Sequence, residues 1–207
     1  MLVLHLQFTR EMDQLFHHTS KDHLKRGDHI YVYRAYGSYS HHGIVVSVDD
    51  VNHILSDDEL AHLYSPKAKQ ELGKKTILVV HVRRTGLVIT TLEEFAISYR
   101  LRKFKYGASA LETKVKRAGT CSTVPPLQPD TVVDNVLEEL LTNAEYWMEY
   151  HAKTRNCEHF ATKCKIGREK SSQVEFVNKI LAILAKGVTV KLLVPSKHEE
   201  QLSVEVK

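Results

Sequence analysis

The sequence predicts an α+β domain, an antiparallel β-sheet packed against helices. Three observations predict it. Segments with strand-like alternation fill the first half of the chain, and segments with helical spacing fill the second. The composition, 43% hydrophobic and 26% charged over 207 residues, suits one buried core with a solvated surface. That balance excludes collagen-like, coiled-coil-only and largely disordered chains.

The elements follow in order. Residues 1–23 read as an N-terminal leader rich in histidine. LKRGD at 24–28 is a turn. HIYVYRAY at 29–36 alternates and is rich in Tyr and Val, as a half-buried strand should be. Gly37 and Ser38 turn the chain into a second strand, HHGIVVSV, at 41–48. Asp49 and Asp50 read as a turn into VNHIL at 51–55, its hairpin partner. The polar stretch 56–74 is a loop or short helix. KTILVVHV at 75–82 and LVITT at 87–91 are strands, Thr91 with Glu94 is a capping box for a short helix, and LRKFKY at 101–106 is the last strand.

Helices then take over. A short one spans 110–117, and a Pro-rich loop follows at 121–129. Asp130 reads as an N-cap for Val133, Val136, Leu137, Leu140, Leu141, Ala144, Trp147 and Met148 at helical spacing. Residues 157–166 form a helix with Gly167 as its stop. Ser172 and Glu175 box the start of an amphipathic helix with Val177, Ile180, Leu181 and Leu184 on one face, ahead of a polar tail. The expected organisation is a leader at 1–23, the main domain at 24–170, and the amphipathic helix and tail at 171–207.

Charge and cysteine usage narrow the function classes. Lys plus Arg (29) against Asp plus Glu (25) gives +4, well short of a nucleic-acid footprint. Three cysteines, at 121, 157 and 164, argue against a disulfide framework and for a reducing, cytoplasmic setting. The N-terminal apolar run is broken by His5 and Gln7 and does not read as a secretory signal. No apolar run reaches the roughly 18 residues that a spanning helix needs; the nearest is cut by Lys179, Lys186 and Lys191.

Cys157 is the most informative position. It follows a polar loop and opens a helix, where unpaired N–H groups and the positive dipole end favour a thiolate and can face an oxyanion. Spacing alone leaves a second reading open, a small buried core residue. A thiolate needs a base, and His41 and His42 face opposite sides of a strand. His53, on the expected hairpin partner, would reach His41 and orient it; two solvated histidines among 13 is the other reading. No spacing fits a zinc site, a phosphate loop or a dinucleotide fingerprint, so neither a metal nor a cofactor is expected.

Asn156-Cys157-Glu158-His159-Phe160 resembles the NCEHF motif of the lecithin retinol acyltransferase-like (LRAT) domain family. That family includes the HRAS-like suppressor phospholipase/acyltransferases, and it belongs to the NlpC-type group of circularly permuted papain-like folds. Arg26 to Ile30 resembles the family's opening G-D-x-I strand, and Tyr39 to Ile44 resembles its H-box. The stretch 101–122 looks closest to the plant-type NC-domain branch, and the likeness runs over roughly 24–175.

The resemblance implies a cysteine-dependent lipid acyltransferase or phospholipase. Cys157 would form a thioester with an acyl group taken from a phospholipid or other acyl-lipid. His41 would exchange the proton, His53 would orient His41, and Tyr39 and Asn156 would orient the substrate and oxyanion. Water, an amine or a hydroxyl would accept the acyl chain, without a metal. Two further readings are a non-catalytic lipid- or protein-binding module and a Cys/His amidase or peptidase. Where family members carry a hydrophobic anchor, the amphipathic stripe from Val177 to Leu184 implies peripheral membrane contact.

Overall fold

The computed structural model describes residues 18–35, 39–116, 118–185, 190–192 and 204–206; most of the expected leader lies outside them. Strands β1 (His29–Arg34), β2 (Tyr39–Ser47), β3 (Ile77–Arg83), β4 (Gly86–Thr91) and the short β5 (Arg102–Lys103) form one antiparallel sheet in the order β4-β3-β2-β1-β5. The α+β class holds. The alternation is muted because both faces of the central strands are covered. Ile44, Val46, Leu78 and Val80 pack into the larger core with the second-half helices, while Ile30, Val32, Val45 and Val79 pack with Leu92 and Phe95 on the other face.

The expected hairpin partner at 51–55 is instead a helix, α1 (Val48–Ser56). Ser47 and Asp50 close a reciprocal capping box: the Ser47 hydroxyl accepts the Asp50 N–H at 3.2 Å, and the Asp50 carboxylate accepts the Ser47 N–H at 2.8 Å. Val48, Val51, Ile54 and Leu55 are buried, a spacing of three and four that belongs to a helix face. The strand partner of β2 comes later, in β3, with α2 (Pro66–Lys69) in between. The Thr91–Glu94 box caps α3 (Leu92–Ala96) as expected.

The long helical pattern after 129 is broken in two. Helix α4 (Ala110–Val115) precedes α5 (Pro129–Thr142), whose N-cap is Gln128 with Pro129 in the first turn, rather than Asp130. Asn143 interrupts the run before α6 (Ala144–Met148). The buried Glu139 carboxylate spans that break: it accepts Trp147 Nε1–H at 2.6 Å and Asn143 Nδ2–H at 3.3 Å, and pairs with Lys163 at 3.0 Å. Helix α7 (Cys157–Ile166) carries Lys163 and ends on left-handed Gly167, as expected. Helix α8 (Ser172–Leu184) follows, and β6 (Val190–Leu192) pairs with β7 (Val204–Val206). The stripe on α8 is divided: Ile180 is buried, while Val177 and Leu181 are each 49% exposed. The Leu184 side chain lies outside the described residues.

Two packing features lead to tests. Gly43 sits where a Cβ would lie 2.6 Å from Val79 Cγ1 and 3.0 Å from Phe95. Gly43→Ala should therefore cost about 1–3 kcal/mol by overpacking, read as a lower urea midpoint with an unchanged m-value. Four histidines, 29, 41, 42 and 81, are held neutral by burial: His41 falls to about 3, His42 to about 4, and His29 and His81 well below the ordinary value. Above pH ~6.5 folded and unfolded chains are equally deprotonated at these rings. Below it the unfolded chain binds protons that the folded chain refuses. Stability should be fully present above pH ~6.5 and fall toward pH 4 by up to about 1.4 kcal/mol per unit for each ring. A urea midpoint that stays flat over that range would contradict the buried placement.

Candidate active site

The site is built at one end of β2. The β2–β3 ladder pairs Ile44–Ser47 with Ile77–Val80 and stops there, although both strands continue past it. Val45 exchanges its backbone bonds with Gly27 and Asp28 on the β1 side. By alternation, the N–H and C=O groups of Ser40 and His42 therefore point toward the side that β3 has left. Side chains fill the vacancy. Gln173 Oε1 accepts the Ser40 N–H at 2.8 Å, and Gln173 Nε2 lies 3.4 Å from the Ser40 carbonyl. The Cys157 thiol lies 3.9 Å from that same carbonyl, and the His42 backbone N–H faces the sulfur. The sulfur thus rests on the strand at the residues on either side of His41.

Asn156 explains why the helix starts at the cysteine. Its Oδ1 accepts the N–H groups of Glu158 and His159 at 2.9 and 3.1 Å, and its Nδ2 donates to the Ala152 carbonyl at 2.8 Å. Its amide is committed to the cap. Cys157 itself is 4% exposed. Burial pushes its thiol up to about 12, against the lowering effect of N–H groups from His42, Cys157 and Glu158. Desolvation outweighs the helix terminus here, so the resting form is a thiol and not the thiolate expected from position alone.

The two adjacent histidines do face opposite ways. His41 stacks on Phe95 (5.3 Å) and its Nε2 meets His81 Nδ1 at 2.8 Å; His81 Nε2 reaches Thr90 Oγ1 at 3.1 Å. His42 lies on the α7 side, with Nδ1 2.8 Å from His29 Nε2 and Nε2 2.8 Å from Ser40 Oγ. His53 is exposed on α1. The ring that meets His41 is therefore His81. Among the described residues no hydrogen bond joins the Cys157 sulfur to an imidazole. Tyr39, the first residue of β2, is half exposed.

Glu158 anchors the rest. Its buried carboxylate accepts the hydroxyls of Ser171 and Ser172, the N–H groups of Ser172 and Gln173, and the Gln173 side-chain amide. That ties the start of α8 to the residue after the cysteine, and Gln173 carries the tie on to β2. Tyr150 is also close. Burial raises its phenol to about 12, with Cys157 and Tyr39 contributing. Sequence reasoning misses His81, Gln173 and Tyr150. His81 stands in a segment that reads as a strand, and its parity with Val79 is the signal; Gln173 and Tyr150 carry none. Among the described residues no three His, Cys, Asp or Glu side chains gather as a metal site, and no helix is long and apolar enough to cross a membrane.

Comparison with known proteins agrees with this architecture. The profile of the family described as lecithin retinol acyltransferase matches residues 22–170. Protein LEAD-SENSITIVE 1 of Arabidopsis thaliana is 30% identical over 174 residues, covering 74% of this chain and 62% of that protein. Human lecithin retinol acyltransferase is 29% identical over 163 residues, covering 76% of this chain and 60% of that protein. The chain therefore spans about three-fifths of the length of these relatives. No solved structure shows significant similarity. With the family profile covering the strands, the H-box and the cysteine helix together, the chain belongs to the lecithin retinol acyltransferase family.

Proposed function

We propose that the chain is a cysteine-dependent acyltransferase or phospholipase acting on a phospholipid or other acyl-lipid, with Cys157 as nucleophile. The observation that carries this reading is the sulfur at a capped helix N-terminus, laid against β2 between Ser40 and His42. Family membership supports acyl transfer in general.

In the proposed reaction Cys157 Sγ attacks the ester carbonyl as His41 removes the thiol proton. His41 Nε2 is engaged by His81, which leaves Nδ1 for that exchange. The carbon–oxygen bond then breaks, and the imidazolium returns the proton to the departing alcohol, leaving an acyl thioester. Water, an amine or a hydroxyl attacks the thioester, gives up its proton through the same ring, and the thiol re-forms. Backbone N–H groups of His42 and Cys157, which face the sulfur, would receive the oxyanion, and the half-exposed Tyr39 would help orient the substrate. Asn156 acts by holding the turn, and the orienting role expected of His53 passes to His81. The resting thiol bonds to Ser40, so productive geometry requires the His41 ring to approach the sulfur beside the open end of β3 when substrate enters. The exposed Val177 and Leu181 offer a peripheral contact with the lipid surface.

One observation favours a second reading, a non-catalytic lipid-binding module: the thiol is buried and neutral, with no imidazole bonded to it among the described residues. Labelled phosphatidylcholine, incubated with and without an amine acceptor, separates the two. Catalysis should give released or transferred acyl chain and a thioester adduct on Cys157 by mass spectrometry. Cys157→Ser and His41→Gln should abolish turnover, and His81→Gln should lower it about tenfold or more through misorientation. His53→Gln should stay within about twofold of the parent, being exposed and remote from the ring pair. Turnover surviving Cys157→Ser would end the proposal. Because the thiol sits near 12, alkylation of Cys157 in the unliganded protein should be slow at neutral pH and rise about tenfold per pH unit up to about pH 10. A labelling rate that plateaus near neutrality would show an ion pair instead.

A further inference from the structure

A cavity of about 490 Å³ lies beside β1 and β5, lined by Asp28, His29, Lys103, Lys105, Tyr106 and Lys165 among others, and by none of the residues at the cysteine. Its chemistry is lopsided. Three ammonium groups face one carboxylate. Lys103 pairs with Asp28 at 2.7 Å, and Lys105 pairs with Glu112. Lys165 differs from both. It is 8% exposed, donates to the Gly27 carbonyl at 2.6 Å, and has no ion-pair partner among the described residues. A buried ammonium with one neutral acceptor has two donors left over.

Tyr106, over whose ring the Lys165 ammonium lies at 6.0 Å, supplies another donor, and its direction can be derived. The Gln173 amide is oriented by Ser40, whose N–H is accepted by Oε1, so Nε2 is the donor toward His42 Nε2 at 3.1 Å. Ser40 Oγ also lies 2.8 Å from that nitrogen. His42 Nε2 is therefore an acceptor, and a neutral ring then carries its proton on Nδ1, which donates to His29 Nε2. His29 in turn carries its proton on Nδ1 and donates to the Tyr106 oxygen at 2.8 Å. The Tyr106 hydroxyl proton is left without an acceptor among the described residues, on a residue that lines the cavity. Burial holds both imidazoles neutral and the phenol protonated, as this chain of donors requires.

We propose that this cavity binds a phosphate group, with the buried Lys165 and the half-buried Tyr106 as its inner donors and Lys103 and Lys105 at its rim. A phosphate brings close to two negative charges and several acceptor oxygens, which matches surplus ammonium charge and convergent donors better than a single carboxylate does. The site is separate from the chemistry proposed for Cys157 and stands or falls without it. Its phosphate could be free or could be a lipid headgroup.

The test uses the full chain and two probes. Inorganic phosphate, titrated at constant ionic strength against chloride, should shift the His29 imidazole resonances and raise the unfolding temperature. Lys165→Gln should weaken this binding about tenfold, and Tyr106→Phe about threefold to fivefold. The second arm compares pelleting with phosphatidylcholine vesicles with and without phosphatidic acid. Pelleting that depends on phosphatidic acid and on Lys165 assigns the site to a lipid headgroup, and binding of soluble phosphate alone assigns it to a free phosphate. If Lys165→Gln does not fold, Tyr106→Phe decides. A phosphate response no larger than that of chloride, or equal binding by the parent and both variants, would overturn the proposal.

Discussion

The early end of the β2–β3 ladder is the constraint on which the site depends. Had the two strands stayed paired beyond Ile44 and Val80, the backbone groups of Ser40 and His42 would be satisfied by the sheet. Nothing would then call a thiol or an amide to that edge. Because the strands diverge, the polar backbone groups of both residues must find partners from elsewhere in the chain. Gln173 accepts the Ser40 N–H, and the Cys157 sulfur meets the Ser40 carbonyl and the His42 N–H. A secondary-structure ending therefore places a sulfur beside the H-box.

That arrangement needs a second tie, because a helix N-terminus resting on a strand edge has few apolar contacts of its own. Glu158 supplies it. A fully buried carboxylate is costly unless its oxygens are saturated with donors, and here hydroxyl, backbone and amide donors all come from Ser171 to Gln173. The residue after Cys157 thus fixes the residue that clamps the strand. Glu139 acts in the same way in the neighbouring layer, joining α5, α6 and α7 through Trp147 and Lys163. In both cases a buried acid locates helices that periodicity alone could only propose.

Much of this is legible in the residues, and the misses have identifiable causes. Strands β1, β2, β3 and β4 and helix α7 follow from alternation, capping and Gly167, because local preference and tertiary packing agree there. Val51 to Leu55 reads as a strand because Asp49-Asp50 is a turn signal and a helix start at once; the Ser47–Asp50 box decides it, and the box is present in the sequence. The pairing of His41 with His81 is not legible, since it depends on which strand comes to lie beside β2 across the α1 and α2 insertion. The thiol departs from expectation for a different reason. Position along a helix is visible in a sequence, whereas desolvation is a property of everything packed around it.

Desolvation also sets the character of the chemistry. A cysteine pushed to about 12 and a histidine held near 3 cannot rest as an ion pair near neutral pH, since each charged form lacks solvent. In the reaction proposed above, the proton would then move as the sulfur attacks, and a substrate that brings polar groups into the site would ease the transfer. The same burial orders the second histidine pair. His42 and His29 are locked as neutral rings whose protons all point one way, from Gln173 toward Tyr106. On one face of the sheet, His81 has both nitrogens engaged and His41 keeps Nδ1 without a hydrogen bond among the described residues. On the other, His42 and His29 have both nitrogens engaged, in a chain of hydrogen bonds from Gln173 to Tyr106.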